Sequence, residues 1–212
     1  GTWTDPDSRA WIDTVKSRGS VNVVELTVPV FDKIAYGDRA DGVVATARRP
    51  QRRLEDLELS KAPLLAVVQG LEKPGNLGAI LRSADGAGVE ALLVVDPATD
   101  TYGPNVIRAS TGAVFSVQVV ECTLDHARSF LHDRGTALVA ARPDGQTEYT
   151  KLDYRGPVAF VLGSEAWGLG SGWDGKAITA ARVPMHGKAD SLNVSVTAAL
   201  FFFEARRQRG QG

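Results

Sequence analysis

Four short segments of this chain, 64–68, 91–95, 136–141 and 158–162, are apolar almost from end to end. A strand with apolar side chains on both faces belongs inside a parallel sheet covered by helices on each side. A sheet with one wet face would instead alternate polar and apolar positions. The intervals supply the covering helices: 76–87, 105–110, and a helix running to Arg134 from Thr123, a residue type that caps helix N-termini. Residues 117–120 read as extended, and 181–184 as a last short strand before a C-terminal helix. The pattern predicts an α/β fold with a parallel sheet and helices on both faces.

Residues 1–46 read differently. A helix is expected over 8–18, with Ala10, Trp11, Ile12 and Val15 available for burial, and a short helix over 28–34. The β-branched stretches 21–26 and 42–47 look like strands. This is too little to bury a core unaided, so the segment is expected to be the last half of a small α/β domain. The missing initiator Met also points to a processed or shortened chain. The arginine- and proline-containing stretch 47–63 is the expected linker, and 64–212 the second domain.

Composition excludes several classes. The 212 residues carry a net charge of −1, so the chain is no polycation. Its arginines are nevertheless clustered, at Arg48, Arg49, Arg52 and Arg53 and again at Arg206, Arg207 and Arg209. Such local patches can meet phosphates. A single cysteine, Cys122, rules out an internal disulfide and a thiolate zinc site. His126, His132 and His186 show no ligand spacing, so no metal is expected. No apolar run nears the ~20 residues that span a bilayer, and residues 1–6 do not resemble a signal peptide. A cytoplasmic protein is the expectation.

In parallel α/β sheets ligands sit beyond the carboxyl ends of the strands, and three polar or glycine-rich clusters fall there. The first, 72–85, offers Asn76 as a helix N-cap and Arg82 either as a phosphate or hydroxyl contact or as a solvated side chain. The second, 162–170, contains Gly163-Ser164-Glu165 and further glycines that let a ligand approach the backbone. It matches neither the dinucleotide nor the Walker A spacing. The third, 183–197, sets Ser191, Asn193, Ser195 and Thr197 in an apolar run. A buried hydroxyl or amide left unpaired costs about 1–3 kcal/mol, so these groups must pair or face a ligand. Asp190 or Ser191 can cap the last helix, Ser191 and Asn193 are the groups to aim at a ligand, and Ser195 and Thr197 are expected to bond back to helical carbonyls. Residues 192–197 fit helix and strand equally well.

Taken together, 76–82, 162–169 and 183–196 resemble the three ordered motifs of the SpoU family of RNA ribose 2′-O-methyltransferases, in the SPOUT class, over about residues 64–208. Residues 108–115 look like the family's intermediate segment. The resemblance implies a C-terminal trefoil knot with S-adenosylmethionine bound in it. Gly163, Val183 and Leu192 would line that site, with Leu162, Met185 and Ala140 nearby. It implies a homodimer whose active site borrows residues across the interface. Residues 1–46 would be the end of an RNA-binding domain similar to a small ribosomal protein, which favours ribosomal over transfer RNA. Arg82 would stand nearest the target hydroxyl. A guanidinium with a pKa above ~12 is a costly base, so Arg82 is read as an anchor for the 3′-phosphate and the developing alkoxide. Asn76 would orient the ribose or Arg82, Glu165 would hold Arg82 or the loop, and Ser191 and Asn193 would complete the polar wall. A Rossmann-like nucleotide enzyme, an inactive RNA-binding knot protein and a ribosome-directed resistance methyltransferase are the rival readings.

Overall fold

The computed structural model describes residues 6–19, 21–36, 42–164 and 168–210. The chain divides into two units, 1–49 and 50–212.

In the first unit, α1 (Pro6–Ser17) and α2 (Val28–Ile34) form where helices were expected. The stretches 21–26 and 42–47 form no strand. β-Branched residues favour a strand only when a neighbour supplies the ladder and a surface to pack on. Val24, Leu26, Val43 and Val44 are exposed, and so is Trp11, against its expected burial.

The second unit opens with a 3₁₀ turn, Leu54–Asp56, whose Leu54, together with Leu57, is buried in the core. Seven strands follow: β1 (Leu64–Gln69), β2 (Ala91–Val95), β3 (Gln118–Cys122), β4 (Ala137–Ala141), β5 (Thr147–Glu148), β6 (Val158–Leu162) and β7 (Ile178–Arg182). They form a single sheet in the order β3-β2-β1-β6-β4-β7-β5, parallel at every pairing. The parallel sheet is as the sequence predicts. β7, however, starts three residues and ends two residues upstream of the expected 181–184. Ile178 to Ala181 pair with Leu138 to Ala141 of β4, whereas Pro184 has no N–H to give to a ladder.

Alternate side chains of each strand enter two cores. On one face Ala66, Val68, Leu92, Val94, Phe160 and Leu162 meet α3 (Pro74–Ala87), α4 (Pro104–Ser110) and α7 (Val194–Arg209). A short helix, α5 (Ala113–Ser116), follows α4. On the other face Leu65, Val67, Leu93, Val95 and Val161 meet α6 (Leu124–Asp133), Leu54, Leu57 and Trp173. Thr123 caps α6 as expected, its hydroxyl accepting from the His126 N–H at 3.4 Å. Gly78 sits where α3 crosses α4: a Cβ there would overlap that of Ala109.

Candidate active site

The central strands set the floor of the site. β6 lies between β1 and β4, and β7 lies beyond β4. Val161, Ala140 and Ala180 stand side by side across β6, β4 and β7. Ala140 is fully buried and Leu162, the last residue of β6, is 1% exposed. Gly163 follows β6 and Val183 follows β7, both half-buried, as is Met185. Five of the six expected cofactor contacts, Ala140, Leu162, Gly163, Val183 and Met185, therefore fall at the carboxyl ends of three adjacent strands or just past them. Leu192, the sixth, is 36% exposed and lies just before α7.

The loop after β6 is closed on itself. The Ser164 N–H donates to the Gly168 carbonyl at 3.2 Å, and the Gly168 N–H returns a bond to the Ser164 carbonyl at 2.9 Å. Gly163 can be nothing larger, because a Cβ would overlap the Gly168 carbonyl group. Gly163 thus presents backbone and no side chain where β6 ends, as the glycines suggest. Glu165 lies outside the described residues. The neighbouring loop after β4 is fixed by Arg182, whose guanidinium donates to the Gly145 and Gln146 carbonyls at 2.6 and 2.9 Å. Arg182 was not singled out in the sequence; its only signal was a charge ending an otherwise neutral strand.

The first and third clusters meet. Asn193 Nδ2 donates to Asn76 Oδ1 at 3.2 Å, across 117 positions of sequence. Neither helix start is as expected. α3 begins at Pro74, whose fixed φ suits the first helical position, so Asn76 lies within the first turn and is not the cap. The cap of α7 is Asn193, not Asp190 or Ser191: its Oδ1 accepts the Ser195 N–H at 2.9 Å. That same oxygen accepts the Ser195 hydroxyl at 2.6 Å, which replaces the expected bond to a helical carbonyl. The cap also resolves 192–197, with helix from Val194 onward. Ser191 is exposed, and Arg82 is exposed about 9 Å along α3 from Asn76 at the usual helical rise.

The chemistry open to this edge is limited. Cys122 ends β3, and burial beside the Asp96 carboxylate pushes its thiol up to about 11. It stays protonated at neutral pH and is no nucleophile. Around Ala140, Leu162, Gly163, Val183 and Met185 the strand ends offer small and apolar side chains and loop backbone, with the Asn76–Asn193 pair as a further polar element. No helix among the described residues is long and apolar enough to cross a membrane.

Comparison with known proteins places this geometry. The model of the SpoU rRNA Methylase family matches residues 63–203. The 23S rRNA (guanosine-2′-O-)-methyltransferase RlmB of Xylella fastidiosa strain 9a5c is 36% identical over 200 residues, 91% of this chain and 80% of that protein. A crystal structure described as an RNA 2′-O ribose methyltransferase superposes with a TM-score of 0.79 at 41% identity, over 97% of this chain and 77% of the other. The SpoU methyltransferase AviRb from Streptomyces viridochromogenes, in complex with the cofactor AdoMet, superposes with a TM-score of 0.71 at 31% identity, over 77% of this chain and 64% of the other.

Proposed function

Because this chain belongs to the SpoU rRNA methylase family, we propose that it methylates a ribose 2′-hydroxyl of ribosomal RNA, using S-adenosylmethionine. The observation that carries the reading is the Asn193–Asn76 hydrogen bond, which draws the first and third motifs together beside the strand ends. The bound cofactor supplies an electrophilic methyl group on a sulfonium. The protein's share is placement: a displacement is fast only when acceptor and donor atoms are held in line.

The residues divide that work. Leu162, Val183 and Met185 offer apolar contact, and Ala140 and Gly163 leave room for the adenosine. Leu192, exposed ahead of α7, closes over it. Asn76, held by Asn193, orients the ribose. Arg82 is a fixed positive charge for the 3′-phosphate and for the negative charge that grows on the 2′-oxygen. Ser191 and Asn193 form the polar wall, and Glu165 holds Arg82 or the loop. On this reading the strand ends 162–163 and 182–185 belong to a trefoil knot. Residues 1–46 are the end of an RNA-binding domain and 64–212 the catalytic domain, and the connecting stretch 47–63 packs its Leu54 and Leu57 into the catalytic core. The enzyme works in the cytoplasm, where ribosomal RNA is found. It acts as a homodimer, which the half-exposed Val196 and Phe203 on α7 support: with Tyr149, Ala199, Leu200 and the ion-paired Glu204 they line a largely apolar recess.

The test is to incubate the protein with S-adenosylmethionine and ribosomal RNA and to map 2′-O-methylated nucleotides. One modified ribosomal position is expected; modification of transfer RNA alone, or of nothing, would overturn the proposal. Arg82→Ala should keep cofactor affinity and lose about 100-fold or more in methyl transfer, the usual loss when one electrostatic stabiliser is removed. Normal turnover by that variant would refute the role given to Arg82.

A further inference from the structure

A chain of side-chain hydrogen bonds crosses the carboxyl edge of the sheet outside the motifs. The Trp173 indole N–H donates to Gln69 Oε1 at 2.8 Å, and Gln69 Nε2 donates to Asp96 Oδ2 at 3.1 Å. Gln69 ends β1, Asp96 follows β2, and Trp173 ends a 3₁₀ turn, Ser171–Trp173, just after the 163–170 loop. The orientation of the amide is forced: an indole only donates and a carboxylate only accepts, so one setting of Gln69 satisfies both. Asp96 is one of two non-glycine residues described with positive φ, at 47°. Such a conformation is retained where surrounding contacts hold it.

Trp173 is 1% exposed, so its N–H needs this partner. The segment around it is gripped from other sides as well. Arg128 of α6 donates to the Gly172 carbonyl at 2.7 Å, and Arg142, following β4, pairs with Asp174. Gly172 abuts the end of the Leu124 side chain, which would have to turn aside for a Cβ. These contacts fix the downstream end of the loop. Its upstream end leaves β6 beside Gly70, where a Cβ would lie 3.9 Å from that of Ser164. Gln69 therefore stands next to one end of the loop and is bonded to the other.

We propose that Gln69 is a positioning residue for the cofactor: bridging Trp173 and Asp96, it sets where the backbone of Gly163, Ser164 and Gly168 stands against S-adenosylmethionine. The inference rests on the methyltransferase reading above. Gln69 contacts no substrate; it acts through Trp173. Its loss should therefore appear in cofactor affinity and not in the chemical step at saturation.

The experiment is calorimetric titration of the 212-residue protein with S-adenosylmethionine, with thermal midpoints recorded for each variant. Gln69→Leu should weaken binding about fivefold, the equivalent of one net hydrogen bond, with turnover at saturating cofactor within about twofold of wild type. Gln69→Glu should also bind poorly, because its carboxylate would face that of Asp96. Adding Asp96→Asn to it restores a donor–acceptor match at unchanged net charge, and binding should return to wild type. That rescue is not expected of a merely structural role. Should Gln69→Leu fail to fold, the Glu variant and its double partner decide. Unchanged affinity in the single variants, or an unrescued double variant, overturns the inference while leaving the methyltransferase reading intact. A wild-type protein that does not bind S-adenosylmethionine overturns both.

Discussion

Glu204 shows how a single charged side chain is made tolerable in a core. It is 9% exposed on α7. Its oxygens accept from Arg207 Nε and Nη2 at 2.8 and 2.7 Å and from Gln208 Nε2 at 2.8 Å. These donors, Arg207 first, hold its carboxyl below the usual glutamate value despite burial. The native group therefore keeps its charge at pH values where the unfolded one has begun to protonate. Its stabilisation is complete above the ordinary carboxylate pKa of about 4.3 and is lost as pH falls through the lower native value. Arg207 is half exposed, so solvent screens the pair and its effect on melting stays small, about 2–4 °C for a domain of this size. Glu204→Gln should melt lower than wild type by that margin at pH 7, and the gap should close below pH 4; scanning calorimetry across that range checks it. A gap that persists in acid would show that the charge is not the cause. Asn193 teaches a related lesson. The sequence pointed to Asp190 or Ser191 as the cap and to Asn193 as a ligand group, and only the path of the chain into α7 made Asn193 the cap.

Among elements, the crossing of α3 and α4 depends on one missing side chain. A Cβ at Gly78 would overlap Ala109 Cβ and come within 2.9 Å of the Ser110 amide nitrogen. Neither helix can retreat freely, because Leu77, Ile80 and Leu81 on α3 and Val106 on α4 are all fully buried. Gly78→Val should cost about 1–3 kcal/mol by overpacking, lowering the urea midpoint without altering the slope of the transition. If the variant is as stable as wild type, the close approach is not a constraint. The helices and central strands were legible because each is a run of one character: apolar over 64–68, 91–95 and 158–162, and capped at Thr123 for α6, whereas the start of α3 at Pro74 was placed two residues late, at Asn76. The misreadings have a shared cause. Residues 21–26 and 42–47 carry strand-forming side chains without a ladder among the described residues, and 183–184 look extended beside a strand that ends at Arg182. A strand requires a neighbour, and a neighbour is not a local property.

For the whole molecule, α7 carries the decisive asymmetry. Phe201 and Phe202 are fully buried under the sheet, whereas Phe203 is 50% exposed and Val196 47%. A proposed homodimer would cover the exposed pair with the matching face of a second copy. Phe203→Asp should then sediment as a monomer where wild type sediments as a dimer. It should also lose methyl transfer at least tenfold, if the active site draws on both copies. A dimeric Phe203→Asp protein would place the interface elsewhere.

The sequence by itself determined the class of architecture and the family. Strands apolar on both faces have few alternatives to burial in a parallel sheet, and three polar clusters in fixed order after such strands are hard to produce without a shared site. Only the tertiary structure decided which of those polar groups meet. The Asn76–Asn193 bond spans 117 positions and the Trp173–Gln69 bond 104. Both depend on the order in which strands lie side by side, β1 next to β6 and β7 beyond β4. That order follows from how the whole chain covers two faces of one sheet at once, and no short stretch of residues encodes it.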